Sequence, residues 1–293
     1  MSRPGDLRPI VVGVGPDSTL RMALAWAADE AARRRLPLRV VHAEGVPTIG
    51  YRGREVPPSW QEWNLALHGV GKQVLEEAAA FVADRHPQVE LDALLTEGDP
   101  VWVLREQSRE ATAVVLGSRH LSRTQEVFGS VSVAVPLMAR SRCPVVVVPE
   151  PEHITQVPAY YVVGVDGSEN SAAAVDLAFE EAAMRGAQVR ALFVWQRGPL
   201  SFSGEHEKRQ EGRRLLSEAV AGRHARYPEV DLHHELIIGH PVQALTDASA
   251  HALGLVVGTR GRGGFTGMLL GSVSQGVLHH ARCPVLVVPS TPS

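Results

Sequence analysis

The residues best suited to chemistry lie in one stretch. It reads Gly258-Thr259-Arg260-Gly261-Arg262-Gly263-Gly264-Phe265-Thr266-Gly267-Met268-Leu269-Leu270-Gly271-Ser272-Val273. Glycines at this density let backbone N–H groups converge without Cβ clashes, and converging N–H groups form an anion-binding nest. Gly271 and Ser272 stand where a helix should open, and the first N–H groups of a helix favour a phosphate. Arg260 and Arg262 add positive charge. This is equipment for holding a phosphorylated ligand. Beyond Asp166 the loop has no general base and no carboxylate pair for a metal. Two other phosphate signatures are excluded. Gly13-Val14-Gly15-Pro16 lacks the third glycine of a dinucleotide fingerprint, and Pro16 removes an N–H. No Gly-Lys-Ser/Thr occurs, so there is no Walker loop.

Other reactive side chains read as structural. His233-His234 and His279-His280 are adjacent pairs, and sequence neighbours on a strand or helix do not face one site. No metal site is expected. His42 ends a strand and reads as packing. The two cysteines, Cys143 and Cys283, stand before equivalent strands and read as buried thiols. Arg142 and Arg282 beside them leave a sensor thiol open, which would need a lowered pKa.

The elements around the glycine loop alternate. Residues 160–166 form a β-branched apolar run, and Ser168 is placed to cap a helix over 169–185. Then come a strand at 188–195, a charged helix over 204–226, and a strand near 230–238. A helix near 241–252, a strand at 254–258, a helix near 271–281 and a strand at 284–288 follow. Strict alternation predicts a parallel sheet with helices on both faces. Ligands in such sheets bind beyond the carboxyl ends of the strands, at the loops after 166, 195 and 258.

With that frame the chain resembles the universal stress protein family. The spacing Gly258-x2-Gly261-x9-Gly271-Ser272 looks like the family's ATP-binding signature. Val165-Asp166-Gly167-Ser168 matches its first-strand Asp, and Cys283-Pro284-Val285-Leu286-Val287-Val288-Pro289 its closing strand. The resemblance implies roles. Asp166 belongs at the ribose or base, with Gly164 and Val194 near the adenine. Gly258, Gly261, Gly271 and Ser272 wrap the phosphates, Val273 gives a backbone contact, and Thr259, Arg260, Arg262, Gly263 and Gly264 complete the loop. It also implies ATP as the ligand, alone or with Mg, a homodimer, and no shared catalytic reaction.

The same unit is written twice. Val11-Val12-Gly13-Val14 returns as Val162-Val163-Gly164-Val165, Gly129-Ser130-Val131-Ser132 as Gly271-Ser272-Val273-Ser274, and Cys143-Pro144-Val145 as Cys283-Pro284-Val285. Val11 and Val162 are 151 residues apart, whereas Gly98-Asp99-Pro100-Val101 returns 141 residues on as Gly239-His240-Pro241-Val242, so the first copy carries ten extra residues between these landmarks, most naturally in the Gly- and Pro-rich stretch 45–58. The expected architecture is two tandem doubly wound α/β domains, each a five-stranded parallel sheet similar to adenine-nucleotide α-hydrolases, at 1–150 and 158–293. Prolines at 149, 151 and 158 mark a linker. The first copy departs from the signature. Its loop, Gly117-Ser118-Arg119-His120 to Gly129-Ser130, has His120 for the second glycine and no internal glycine. Gly15 stands where Asp166 stands. Gly13, Gly117, Gly129 and Ser130 leave at most a weak second site.

A net charge of −3 argues against a nucleic-acid partner. No apolar run is long enough to span a membrane, and the N-terminus has no signal-like apolar region. A cytoplasmic location is expected. The reading is an ATP-binding regulatory module that senses nucleotide and signals to an unnamed protein partner. A slow ATPase or nucleotide-transferring enzyme is the alternative. The β-branched strands at 145–148 and 285–288 are expected at sheet edges, where they could pair domains.

Overall fold

The structure, a computed structural model, describes residues 7–16, 21–44, 60–118, 131–150, 153–196, 205–262 and 269–289. It divides into two compact units. One holds the chain to Leu137 with Ser141–Cys143, the other Met138–Arg140 with the chain from Pro144 onward.

The first unit runs β1 (Ile10–Gly13), α1 (Arg21–Arg34), β2 (Leu38–Glu44), α2 (Trp60–Arg85), β3 (Leu91–Glu97), α3 (Pro100–Gln107), β4 (Ala113–Gly117), α4 (Val131–Met138). Its strands lie in the order β3-β2-β1-β4, all parallel. β1 and β4 are buried nearly throughout, as strands covered on both faces must be. α1 turns Ala23, Leu24, Ala27, Ala28 and Ala31 to the core. The same face buries Glu30, whose carboxylate is met by Arg33 and Arg34 on its own helix.

The second unit contains β5 (Val145–Val148), β6 (Tyr160–Val165), α5 (Glu169–Arg185), β7 (Gln188–Trp195), α6 (Glu205–Val220), α7 (Arg223–Arg226), β8 (Leu232–Ile238), α8 (Pro241–Ala248), β9 (Gly254–Gly258), α9 (Ser272–His280) and β10 (Val285–Val288). Its strand order is β8-β7-β6-β9-β10-β5. All neighbours are parallel except β10 with β5. Two expectations are corrected here. The helix over 204–226 is two helices, because Gly222 takes a left-handed φ of 77° that a continuing helix forbids. β10 is not an edge. β9 flanks it on one side, and β5, which the repeat assigns to the first copy, pairs antiparallel on the other. Two short all-apolar strands cover each other this way, and every residue of both is buried. Among the described residues no helix is long and apolar enough to cross a membrane.

The repeat is legible in packing as well as sequence. Gly71 of α2 and Gly212 of α6 stand 141 apart, and each lets its helix approach the strands beneath. A Cβ at Gly71 would lie 2.6 Å from Leu95 and 2.9 Å from His42, and one at Gly212 2.5 Å from Leu236 and 3.0 Å from Phe193.

Candidate functional site

β6 ends in Val165-Asp166, and a tight turn follows. Gly167 takes φ +80°, and its missing Cβ would meet Leu215 of α6 at 2.7 Å. Ser168 caps α5, its Oγ accepting from the Ser171 N–H at 3.2 Å. Asp166 Oδ1 accepts from the Ser168 N–H at 2.9 Å and from its hydroxyl at 2.6 Å. Its other oxygen reaches across to the glycine loop and accepts the Arg262 N–H at 3.0 Å.

That loop leaves β9 at Gly258 with little room to spare. A Cβ at Gly258 would sit 2.7 Å from Asn170 Cβ and 2.9 Å from Asn170 backbone atoms. A Cβ at Gly261 would sit 2.2 Å from Asp166 Oδ2. Thr259 is buried and staples the loop: its N–H donates to Val288 O at 2.9 Å, and its carbonyl accepts from the Gly271 N–H at 2.8 Å. Ser274 Oγ donates to Gly258 O at 2.6 Å, and Asn170 Nδ2 to Arg260 O at 3.0 Å. The start of α9 is thereby folded back onto the end of β9. Gly271 precedes α9 in extended conformation and no side chain caps the helix, so its leading N–H groups are left for a ligand.

Between these parts is a cleft of about 340 Å³ at the carboxyl ends of β6 and β9, where the strand order reverses. Gly164, Asp166, Val194, Gly258, Arg260, Gly261, Arg262, Gly271, Ser272 and Val273 border it. Thr259 does not. Gly263 and Gly264 lie outside the described residues. Its border combines apolar side chains, Leu192, Leu245, Val257 and Leu270, with the loop glycines, two arginines and the start of α9. Asp166 is the cleft's single acidic side chain among the described residues, and both its oxygens are engaged. Among the described residues the cleft border thus offers a divalent cation no spare carboxylate. The apolar wall, together with Asn170 and Glu211 on the neighbouring helices, was not read from the sequence.

The first unit places its equivalents differently. Gly13 ends β1 under Leu104 and Leu116, whose methyls would stand 3.1 and 3.0 Å from a Cβ there. Gly117 ends β4, buried. Gly129, Ser130 and His120 lie outside the described residues. His42 is buried, with Nδ1 donating to Val14 O at 2.9 Å. Both cysteines are buried, and burial pushes each thiol up to about 11. A thiol so protonated is a poor nucleophile at neutral pH.

Comparison with known proteins agrees with this geometry. The model of the universal stress protein family matches residues 7–149 and again residues 161–289. A universal stress protein of Mycobacterium tuberculosis is 36% identical over 98% of this chain and 99% of its own. A second from that organism is 31% identical over 98% of each. The crystal structure of a universal stress protein from Archaeoglobus fulgidus shares the fold, with a TM-score of 0.72 at 17% identity over 96% of each chain. Two family matches covering most of the sequence, and relatives at this identity along nearly all of it, mean that the chain belongs to the universal stress protein family in its tandem, two-copy form.

Proposed function

We propose that the second copy binds ATP and that the protein works as a nucleotide-responsive module of the stress response, without turnover. The observation that carries this reading is the convergence of three glycines and an uncapped helix start on one cleft that apolar side chains also line. Substituting Gly258 or Gly261 would bring a Cβ into Asn170 or Asp166, so the loop's shape requires those glycines. The phosphates would lie against Gly258, Gly261 and the Ser272 and Val273 N–H groups. The base would lie between Gly164, Val194 and Leu245. Asp166 would act by holding the loop, since its oxygens are spent on Ser168 and Arg262. The cleft border contains no histidine and no second carboxylate among the described residues, which favours binding over hydrolysis.

The test is calorimetric titration of the full chain with ATP, beside mass spectrometry for co-purified nucleotide. One site per chain is expected, abolished by Asp166→Ala. Two equal sites would overturn the assignment of ATP to the second copy alone, and steady ADP or AMP release lost in that variant would favour the enzyme. The homodimer and a cytoplasmic location belong to this same reading.

A further inference from the structure

Arg262 is gripped twice. Its N–H goes to Asp166 at 3.0 Å, and its guanidinium donates through Nη1 to Glu211 of α6 at 3.2 Å. The first contact fixes the backbone. The second decides where the charge points. Glu211 lies outside the cleft border and Arg262 lies on it, so the ion pair draws the guanidinium to the rim, toward α6. Both side chains are about half exposed, 51% and 50%. A pair so wet is weak, and a polyphosphate bound in the cleft would present a far larger charge to the same arginine.

The repeat supplies an independent observation. At the 141-residue offset set by Gly71 and Gly212, Glu211 corresponds to Val70 and Arg262 to Leu121. At the 151-residue offset set by Gly13 and Gly164, Asp166 corresponds to Gly15 and Asn170 to Thr19. Asp166, Asn170, Arg262 and Glu211 are therefore present in the copy that has the glycines and replaced in the copy that lacks them, whereas Ser274 keeps its counterpart, Ser132. General surface polarity gives no reason for Glu211 to disappear together with the glycines. Service to the loop does.

We propose that Glu211 is the resting counter-ion of Arg262 and that a nucleotide phosphate displaces it, so that Glu211 sets how tightly the phosphate end is held. This rests on the cleft being a nucleotide site. Glu211 is a positioning residue: it acts on the ligand through Arg262.

The test is a double-mutant cycle in the full chain, with Glu211→Gln, Arg262→Gln and both together, titrated with ATP and separately with adenosine. Glu211→Gln should tighten ATP by about two- to fivefold, the size of an exposed ion pair, and leave adenosine unchanged. Arg262→Gln should weaken ATP, and in that background Glu211→Gln should have no further effect. Equal tightening in both backgrounds would show Glu211 acting as a distant charge and would overturn the proposal. So would unchanged or weaker ATP binding by Glu211→Gln alone. If the wild type and all variants bind neither ligand, the nucleotide reading fails and this inference fails with it. Wild-type binding without the predicted coupling sinks the inference alone.

Discussion

A glycine is informative through what its missing Cβ would strike. At Gly261 the obstacle is Asp166 Oδ2, 2.2 Å away, at the end of a side chain that can rotate. Gly261→Ala should keep the fold and break the Asp166–Arg262 hydrogen bond. That bond is already made without ligand, so its loss should lower the melting temperature modestly, and ATP should bind more weakly because the loop is no longer held in place. At Gly258 the obstacle includes the backbone of α5, which cannot step aside. Gly258→Ala should instead destabilise the second unit by about 1–3 kcal/mol, read from a denaturant midpoint. Cys143 and Cys283 make a third case. With thiols held near 11 by burial, both should ignore a thiol-specific reagent at neutral pH and react only once the chain is unfolded. Labelling of native protein at either position would contradict the inert reading. Glycine spacing was legible in the sequence because it reports on backbone, which is local. Asn170 and Glu211 were not, because their partners are fixed by where α5 and α6 come to rest against the loop.

Helices in this fold are positioned by contacts that their own periodicity does not announce. α2 has two glycines within three positions, and they make opposite predictions. Nothing lies within 4 Å of a Cβ at Gly69, so Gly69→Ala should add the ordinary helical gain of about 0.5–1 kcal/mol. At Gly71 the same change drives a methyl into Leu95 and His42. Overpacking of about 1–3 kcal/mol then outweighs the gain and the melting temperature should fall. The two variants measured side by side test whether close approach, and not composition, placed Gly71. A second device clamps α1 to α2. Asp29 accepts from Arg85 Nε and Nη2 at 2.6 and 2.8 Å, and its Oδ1 also meets His86 Nε2 at 2.7 Å. Burial pulls the Asp29 carboxyl upward, but these hydrogen bonds and charges outweigh it and hold it below its usual value. A carboxyl depressed in the folded state stabilises fully above its unfolded pKa and loses that contribution as pH falls through its folded one. Asp29→Asn should therefore cost about 1 kcal/mol at neutral pH. The gap to wild type should close on acidification, starting near pH 4. A gap independent of pH would assign the effect to packing.

At the scale of the whole molecule the division of the sequence and the division of the structure differ. The repeat closes its first copy after the strand at 145–148, whereas that strand packs with the second unit as the antiparallel partner of β10. Alternation of strand and helix made the parallel core legible. It could not reveal this pairing, because a run of four valines has no period that names its neighbour. The linker is tied down as well: His153 Nε2 donates to Ala252 O at 2.7 Å, and the Gln156 N–H to His251 O at 3.0 Å. A fragment cut at the repeat boundary, residues 158–293, would lose β5 and these ties together and bare the apolar edge of β10. A fragment beginning at 144 would keep them. In chemical denaturation the shorter fragment should unfold at a clearly lower midpoint. Equal midpoints would mean that β5 contributes nothing to the second unit. If the shorter fragment proves weaker, β5 is part of the scaffold that sets β10, β9 and the glycine loop after it. The candidate nucleotide site of the second copy would then depend on a strand encoded in the first.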